Sequence, residues 1–243
     1  MLLGSHGGRL VREYIFSGST FNNKHLRLGL ESLVARVPDM ARVVDVGCGE
    51  MPYRAMFDKA GVYIGVDIEK RFDEFPASKD SLVLIDRSRD LASLPFKSGS
   101  ISLVVCTQVL EHVVNDRALF SEVSRIVADD GNVILSVPCA FPLHETPDDY
   151  RRYTRFGVKM LCESVDLDIL KEYIWGGFGT PLTFVNVWCF DMLLDSRGSV
   201  LAKCAAGVLS LLVVAVSLVW GNNPDSSGQM GVAVLCRKRR AVD

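Results

Sequence analysis

The sequence predicts an α/β fold: a seven-stranded, mostly parallel sheet with helices on both faces, an antiparallel last strand, and an apolar helical insertion before that strand. Three observations carry this expectation. From Arg42 onward, short β-rich runs alternate with helical patterns, which implies parallel strands buried on both faces by crossover helices. The first run ends in a glycine-rich bend, VVDVGCG, and the second in an aspartate, YIGVDI; open α/β sheets meet nucleotides with such groups at the carboxyl ends of their strands. The 243 residues suffice for one Rossmann-like domain of this kind with an appendage, and are few for two catalytic domains.

Residues 1 to 22 mix Gly, Ser and charge without periodicity and read as a loosely ordered arm. Leu26, Leu30, Leu33, Val34 and Val37 recur at helical spacing, predicting a helix over 23–37 that Pro38 stops. Strands are predicted at RVVDV, VYIGVDI, LVLID, ISLVVC, NVILSV, LDILKEYIW and GVAVLCRK. Between them fall helices near 53–60 and 116–128, the second stopped by Gly131, and a helix RFGVKMLCES with Thr154 as its N-cap. The chain thus divides into an arm and helix (1–38), the α/β domain (39–178 with 228–240) and the apolar insertion (179–227).

Charge is balanced, with 27 Lys and Arg against 29 Asp and Glu, so no basic field exists to hold phosphates and no nucleic-acid partner is expected. The seven cysteines form no CxxC pair and no Cys/His cluster at zinc spacing, which argues for reduced thiols in the cytoplasm and against a metal site. No apolar secretory segment opens the chain.

Gly47 and Gly49 allow close backbone approach to a ligand, although a tight strand-to-helix turn asks for the same residues. Asp67 lies near the 20-residue offset at which a carboxylate in this fold, roughly that far on, meets ribose hydroxyls. The third glycine of a dinucleotide fingerprint is missing, with Met51 and Pro52 in its region, and Asp45 stands two residues before the first glycine. That carboxylate would repel a pyrophosphate and attract the ammonium and sulfonium of S-adenosyl-L-methionine (SAM), favouring SAM over NAD.

Taken together, VVDVGCG, YIGVDI, DLASLPFKSGSISLVVCTQVLEHV and DDGNVILSVP resemble the motifs of class I SAM-dependent methyltransferases, over roughly residues 40 to 175. The resemblance implies that Asp45, Gly47 and Gly49 line the methionine end, that Asp67 with Ile68 meets the ribose, and that Asp90 lies near the adenine, with Asp86 as a rival. It places Thr107 and Gln108 where the fourth strand opens onto the methionine moiety. Ser102 stands where the family usually has aspartate, and Met51 where it has a small residue. GEMPYR resembles a GxGxxPY variant found among methyltransferases associated with bacterial surface polysaccharides.

After the fifth strand, SVPCAFPLHETPDDYRRYT is dense in polar and aromatic side chains where an acceptor should face the donor. His144 is the leading candidate base, with Glu145, Asp149 and Tyr150 as alternatives. Arg151, Arg152 and Tyr153 are orienting or structural groups, and Arg151 and Arg152 could instead pair with Asp148 and Asp149. His112 is expected to pack or hydrogen-bond beneath the site. Cys48, Cys106 and Cys139 are expected to be small buried residues rather than nucleophiles.

The run from Cys204 to Trp220 is uncharged. Its alternatives are a helix buried on the domain or in a homodimer interface, a monotopic surface in peripheral contact with a membrane, and a span; a single crossing would strand the final strand on the wrong side. RKRR at 237–240 would suit an anionic membrane surface. The expected function is methyl transfer from SAM to a small-molecule or lipid- or glycan-linked acceptor, at oxygen. Its alternatives are methylation of a quinone precursor or other metabolite carbon, a non-catalytic SAM-binding regulator, and an NAD-linked oxidoreductase.

Overall fold

The computed structural model describes residues 18–68, 82–85, 93–177, 189, 193, 198–219 and 228–240. Seven strands form one sheet: β1 (Arg42–Val46), β2 (Val62–Ile68), β3 (Leu82–Ile85), β4 (Ile101–Thr107), β5 (Val127–Pro138), β6 (Leu167–Gly176) and β7 (Gln229–Lys238), in the order β3-β2-β1-β4-β5-β7-β6. The pairs from β3 through β5 are parallel. The direction of β7 against β6 follows from contacts at its two ends: Arg239 N–H donates to Asp166 O at 3.0 Å, and Gly177 N–H to Gly228 O at 2.5 Å. The last strand is therefore antiparallel, as expected.

Val43, Val44 and Val46 of β1, Leu103 to Cys106 of β4 and Val133 to Leu135 of β5 are fully buried, the near-continuous apolar runs of strands covered on both faces. Helix α1 (Gly18–Val34) buries Leu26, Leu30, Leu33 and Val34, so the periodicity was informative. It begins earlier than expected, taking in residues 18–22 of the expected arm; residues 1–17 lie outside the described residues. Helices α2 (Asp116–Ile126) and α3 (Arg155–Glu163) follow β4 and β5, and α4 (Val200–Val219) precedes β7.

Two local expectations are corrected. The helix near 53–60 is only a 3-10 turn, Arg54–Phe57; Met51, Arg54, Met56 and Ala60 each donate to the carbonyl three residues back, so α-type bonding never starts. Gly131 does not stop α2, which has already given way to extended backbone at Val127. It sits instead where the β4–β5 register shifts, and a Cβ there would lie 2.7 Å from Ala128 O. In the RKRR run, Lys238 Nζ donates to Ser124 O and Val127 O at 2.8 and 3.0 Å, and the exposed Arg239 and Arg240 pair with Asp168 and Asp130. At Ser102, the hydroxyl accepts from Arg42 N–H and donates to Arg42 O, both at 2.9 Å, which ties β4 to β1 without an aspartate.

Two compact units divide the chain. One comprises Met1–Leu26, Ala140–Pro142 and Ile174–Gly231. Its core holds fully buried Trp175, whose Nε1–H donates to Asn22 Oδ1 at 2.8 Å, and Gly231, where a Cβ would lie 2.2 Å from the Trp175 ring. In α4 of this unit, Ala206 and Ser210 are buried while Val200, Leu201, Val208, Leu211 and Leu212 are exposed. Among the described residues no helix is long and apolar enough to cross a membrane. The other unit, Arg27–Cys139, Leu143–Tyr173 and Val232–Asp243, holds the strand ends described next.

Thr154 caps α3 as the sequence predicts, its Oγ1 accepting from Gly157 N–H at 3.1 Å. Thr154→Ala is expected to lower stability by about 1 kcal/mol and Thr154→Ser to retain most of it, measured by chemical denaturation.

Candidate active site

The bend after β1 is held by β2. Gly47 N–H and Cys48 N–H donate to Val66 O at 2.7 and 3.2 Å. Gly47 and Gly49 have φ of +69° and +47°, conformations that an L side chain adopts with strain. Their surroundings differ. A Cβ on Gly47 would lie 2.3 Å from Val109 Cγ2, whereas one on Gly49 would meet nothing within 4 Å. Gly47 is required for packing, and Gly49 faces open space.

Asp67 spans the bend. Its Oδ2 accepts from Gly49 N–H at 2.8 Å and its Oδ1 from Ile68 N–H at 2.7 Å. Each oxygen keeps a further lone pair for another donor. Met51 takes the left-handed region at φ 55°. A Cβ on Gly65 would lie 2.5 Å from Met51 Cε and 2.7 Å from Cys48 Sγ, so β2 gives up a side chain to seat the bend.

Asp45 is 3% exposed and accepts a hydrogen bond from Tyr63 Oη–H. Burial pushes its carboxyl up to about 7; the Tyr63 bond opposes the rise and the Asp67 charge adds to it. Thr107 Oγ1, at the end of β4, is buried with no hydrogen-bond partner among the described residues. Gln108 follows at φ 55° and is anchored to β5, with its N–H on Ser136 O at 2.9 Å and its Nε2–H on Ser136 Oγ at 3.2 Å. Asp86 and Asp90 lie outside the described residues.

The three nearby thiols are quiet. Burial pushes Cys48 and Cys106 far up, with Asp45 and Asp67 adding to the first and Glu111 and Asp45 to the second, and it pushes Cys139 up to about 12. None has the activated character of a nucleophile.

The loop after β5 is stitched onto the turn after β4. Tyr150 N–H donates to Glu111 O at 2.9 Å, and Arg151 donates to Val113 O and Val114 O at 2.6 and 2.9 Å. Of the expected arginine–aspartate network, Arg152 pairs with Asp149 while Arg151 pairs with Asp116, and Tyr153 Oη–H donates to Asp116 Oδ2 at 2.7 Å. These ties bring His144 to His112, with ring centroids 4.7 Å apart and edge on face. His112 Nδ1 meets Asp148 O at 2.6 Å, the hydrogen-bonding role expected of it.

Asp149, 1% exposed at its side chain, is bound through both oxygens by Arg152 and accepts from His144 N–H at 2.9 Å. The Arg152 guanidinium holds its carboxyl well below the usual range, which makes Asp149 a poor proton acceptor. Tyr150 is exposed, with its hydroxyl on Asp148 Oδ1 at 2.8 Å.

Glu111 is the residue that sequence reasoning passed over. It is 0% exposed, and neither Oε has a hydrogen-bond partner on another described residue. Burial pushes its carboxyl up to about 8. The available signal was an acid set within the apolar run VLEHVV.

Residues 44–135 match the family model described as a methyltransferase domain. Over these residues the chain is similar to a methyltransferase domain. S-adenosyl-L-methionine is the cofactor such a domain implies. A SAM-dependent methyltransferase from Archaeoglobus fulgidus has a TM-score of 0.59 at 16% identity, over 97% of this chain and 100% of that one. One from Thermotoga maritima gives 0.57 at 14%, over 95% and 97%. A chain from the Haloferax volcanii complex of the Trm112 methyltransferase activator with a methyltransferase gives 0.57 at 14%, over 97% and 96%. At such identities the likeness is one of fold. A search of curated protein sequences finds no match.

Burial gives Asp45 a pH-dependent cost. Its carboxyl titrates near 3.8 ordinarily and near about 7 when folded. Between these values the native state binds the proton more tightly than the unfolded state, so this residue lowers stability as pH rises from about 4 to about 7, with no further effect above. Asp45→Asn is expected to flatten the decline by about 4 kcal/mol at most, measured as the difference in urea unfolding free energy between the two ends of that window.

Proposed function

We propose that the chain transfers the methyl group of SAM to an oxygen of a small-molecule or lipid- or glycan-linked acceptor. The observation that carries this reading is the bend at Gly49: left-handed backbone open above its Cα, with its N–H already held by Asp67. SAM supplies a methyl on a sulfonium, so its reacting end is cationic. Gly47, Gly49 and Asp45 are assigned to the methionine end, Asp67 and Ile68 to the ribose, Asp90 to the adenine side, and Thr107 and Gln108 to the methionine moiety. The chemistry of the donor set supports this. Asp45, poised near neutrality by burial, favours a cationic ligand and disfavours a diphosphate. The Thr107 hydroxyl, unpartnered among the described residues, is suited to a polar ligand atom.

Methyl transfer is an in-line displacement in which the protein aligns the two reactants; a hydroxyl acceptor must also lose a proton. His144 is the residue assigned to that proton, with Asp149 and Arg152 holding it in place. Arg151 and Tyr153 fix the loop. The exposed apolar positions of α4 and the GEMPYR sequence motivate the lipid- or glycan-linked acceptor and a peripheral membrane contact. Residues 39–178 with 228–240 are taken as the SAM-binding domain and 179–227 as its insertion.

Calorimetry with S-adenosylhomocysteine (SAH), the demethylated product, and labelled SAM turnover against acceptor extracts test the reading. Asp67→Ala is expected to weaken SAH binding by about 1.5 to 3 kcal/mol, roughly 10- to 150-fold. His144→Ala is expected to lower kcat with SAH affinity nearly unchanged. SAM binding without turnover would favour a regulator or a subunit that needs an activator. Binding of NADH with none of SAM or SAH would overturn the proposal.

A further inference from the structure

We propose that Glu111, His112 and His144 hold a divalent transition-metal cation, and that the acceptor's oxygen meets the donor's methyl beside it. The role of the cation in methyl transfer rests on the reading above, whereas the site itself stands on its own geometry.

One ligand atom from each of the three residues lies within 4.8 Å of the others. Bonds of about 2.0 to 2.2 Å from a cation to nitrogen or oxygen place the ligand atoms of a tetrahedral site roughly 3.3 to 3.6 Å apart, so side-chain shifts of about 1 Å complete the site. Glu111 supplies the second, independent observation. A fully buried carboxylate with neither oxygen paired to another described residue is costly unless something positive meets it. His112 does not satisfy it by hydrogen bonding, because its Nε2 stands 3.8 Å from Glu111 Oε1, beyond hydrogen-bond reach.

Both imidazoles are held as metal-binding imidazoles are. His112 Nδ1 is engaged by Asp148 O at 2.6 Å and His144 Nδ1 lies 3.3 Å from Asp149 Oδ2. A carbonyl or carboxylate on one ring nitrogen fixes the tautomer and turns the other nitrogen toward a metal. Arg152, 3.5 Å from His144 Nδ1, is held by both oxygens of Asp149, which match its charge there. Two imidazoles and one carboxylate suit zinc, manganese, iron or cobalt better than magnesium or calcium. Three protein ligands leave coordination positions open, as in catalytic rather than structural sites.

A cation here lowers the pKa of an acceptor hydroxyl. The O–H bond breaks with its proton passing to solvent; the O–CH3 bond forms as the S–CH3 bond breaks, and SAH leaves as a neutral thioether. No oxidation state changes. His144 then holds the cation rather than taking the proton itself.

The test uses the full chain stripped with a chelator, titrated with Co2+ and followed by visible absorption, with Zn2+ and Mg2+ as competitors. Wild type is expected to bind one equivalent of Co2+ with ligand-field bands, displaced by Zn2+ and not by Mg2+. Glu111→Gln and His144→Ala should each weaken Co2+ binding by at least about 10- to 100-fold, with native circular dichroism and SAH affinity retained; His144, on a partly exposed loop, carries the test if the buried variant misfolds. Asp67→Ala should lose SAH affinity and keep the cation. Equal Co2+ affinity in wild type, Glu111→Gln and His144→Ala, or no Co2+ binding in wild type, overturns the site. Co2+ binding that needs Glu111 in a chain that binds neither SAM nor SAH upholds the site and overturns the methyltransferase reading alone.

Discussion

The bend after β1 depends on one face of β2. Tyr63, Gly65 and Asp67 alternate along the strand and so share a face, and each meets a different part of the bend that follows β1. Tyr63 donates to Asp45, Gly65 leaves room for Cys48 and Met51, and Asp67 accepts from Gly49. Left-handed backbone at Gly47, Gly49 and Met51 carries a conformational cost, above all at methionine. That cost is borne by the hydrogen bonds and by packing against this one strand face.

The loop that carries His144 is organised differently. No regular element carries His144; it is placed by side chains and backbone of the 144–153 loop gripping carbonyls and Asp116 in the 110–116 turn. Arg151, Arg152 and Tyr153 therefore act through position, fixing where His112 and His144 stand relative to buried Glu111. Conformational freedom is low in a loop whose polar groups are used this fully.

Much of the sheet was legible because burial on both faces demands continuous apolar runs, and RVVDV, VYIGVDI and ISLVVC announce themselves in that way. The glycine bend and Asp67 were legible because backbone conformation and charge restrict residue choice there. What failed was local hydrogen-bond bookkeeping. Helical composition near 53–60 could not reveal bonds three residues back in place of four, and Gly131 reads equally as a helix stop or as the site of a register shift. Glu111 escaped because its significance lies in lacking a hydrogen-bond partner among the described residues, and that is a property of three-dimensional neighbours. The pairing of Arg151 with Asp116 escaped for the same reason: sequence proximity pointed to Asp148, and the fold offered a carboxylate 35 residues away along the chain.

Among the described strands, the order β5-β7-β6 leaves β6 at the rim, joined to the sheet through β7. During synthesis β6 leaves the ribosome long before its sole neighbour, since Gly176 and Gln229 are separated by the whole apolar stretch. Until β7 arrives, β5 and β6 each present an unsatisfied edge, the condition that invites pairing with another nascent chain. The sheet is thus complete only once its last strand is in place.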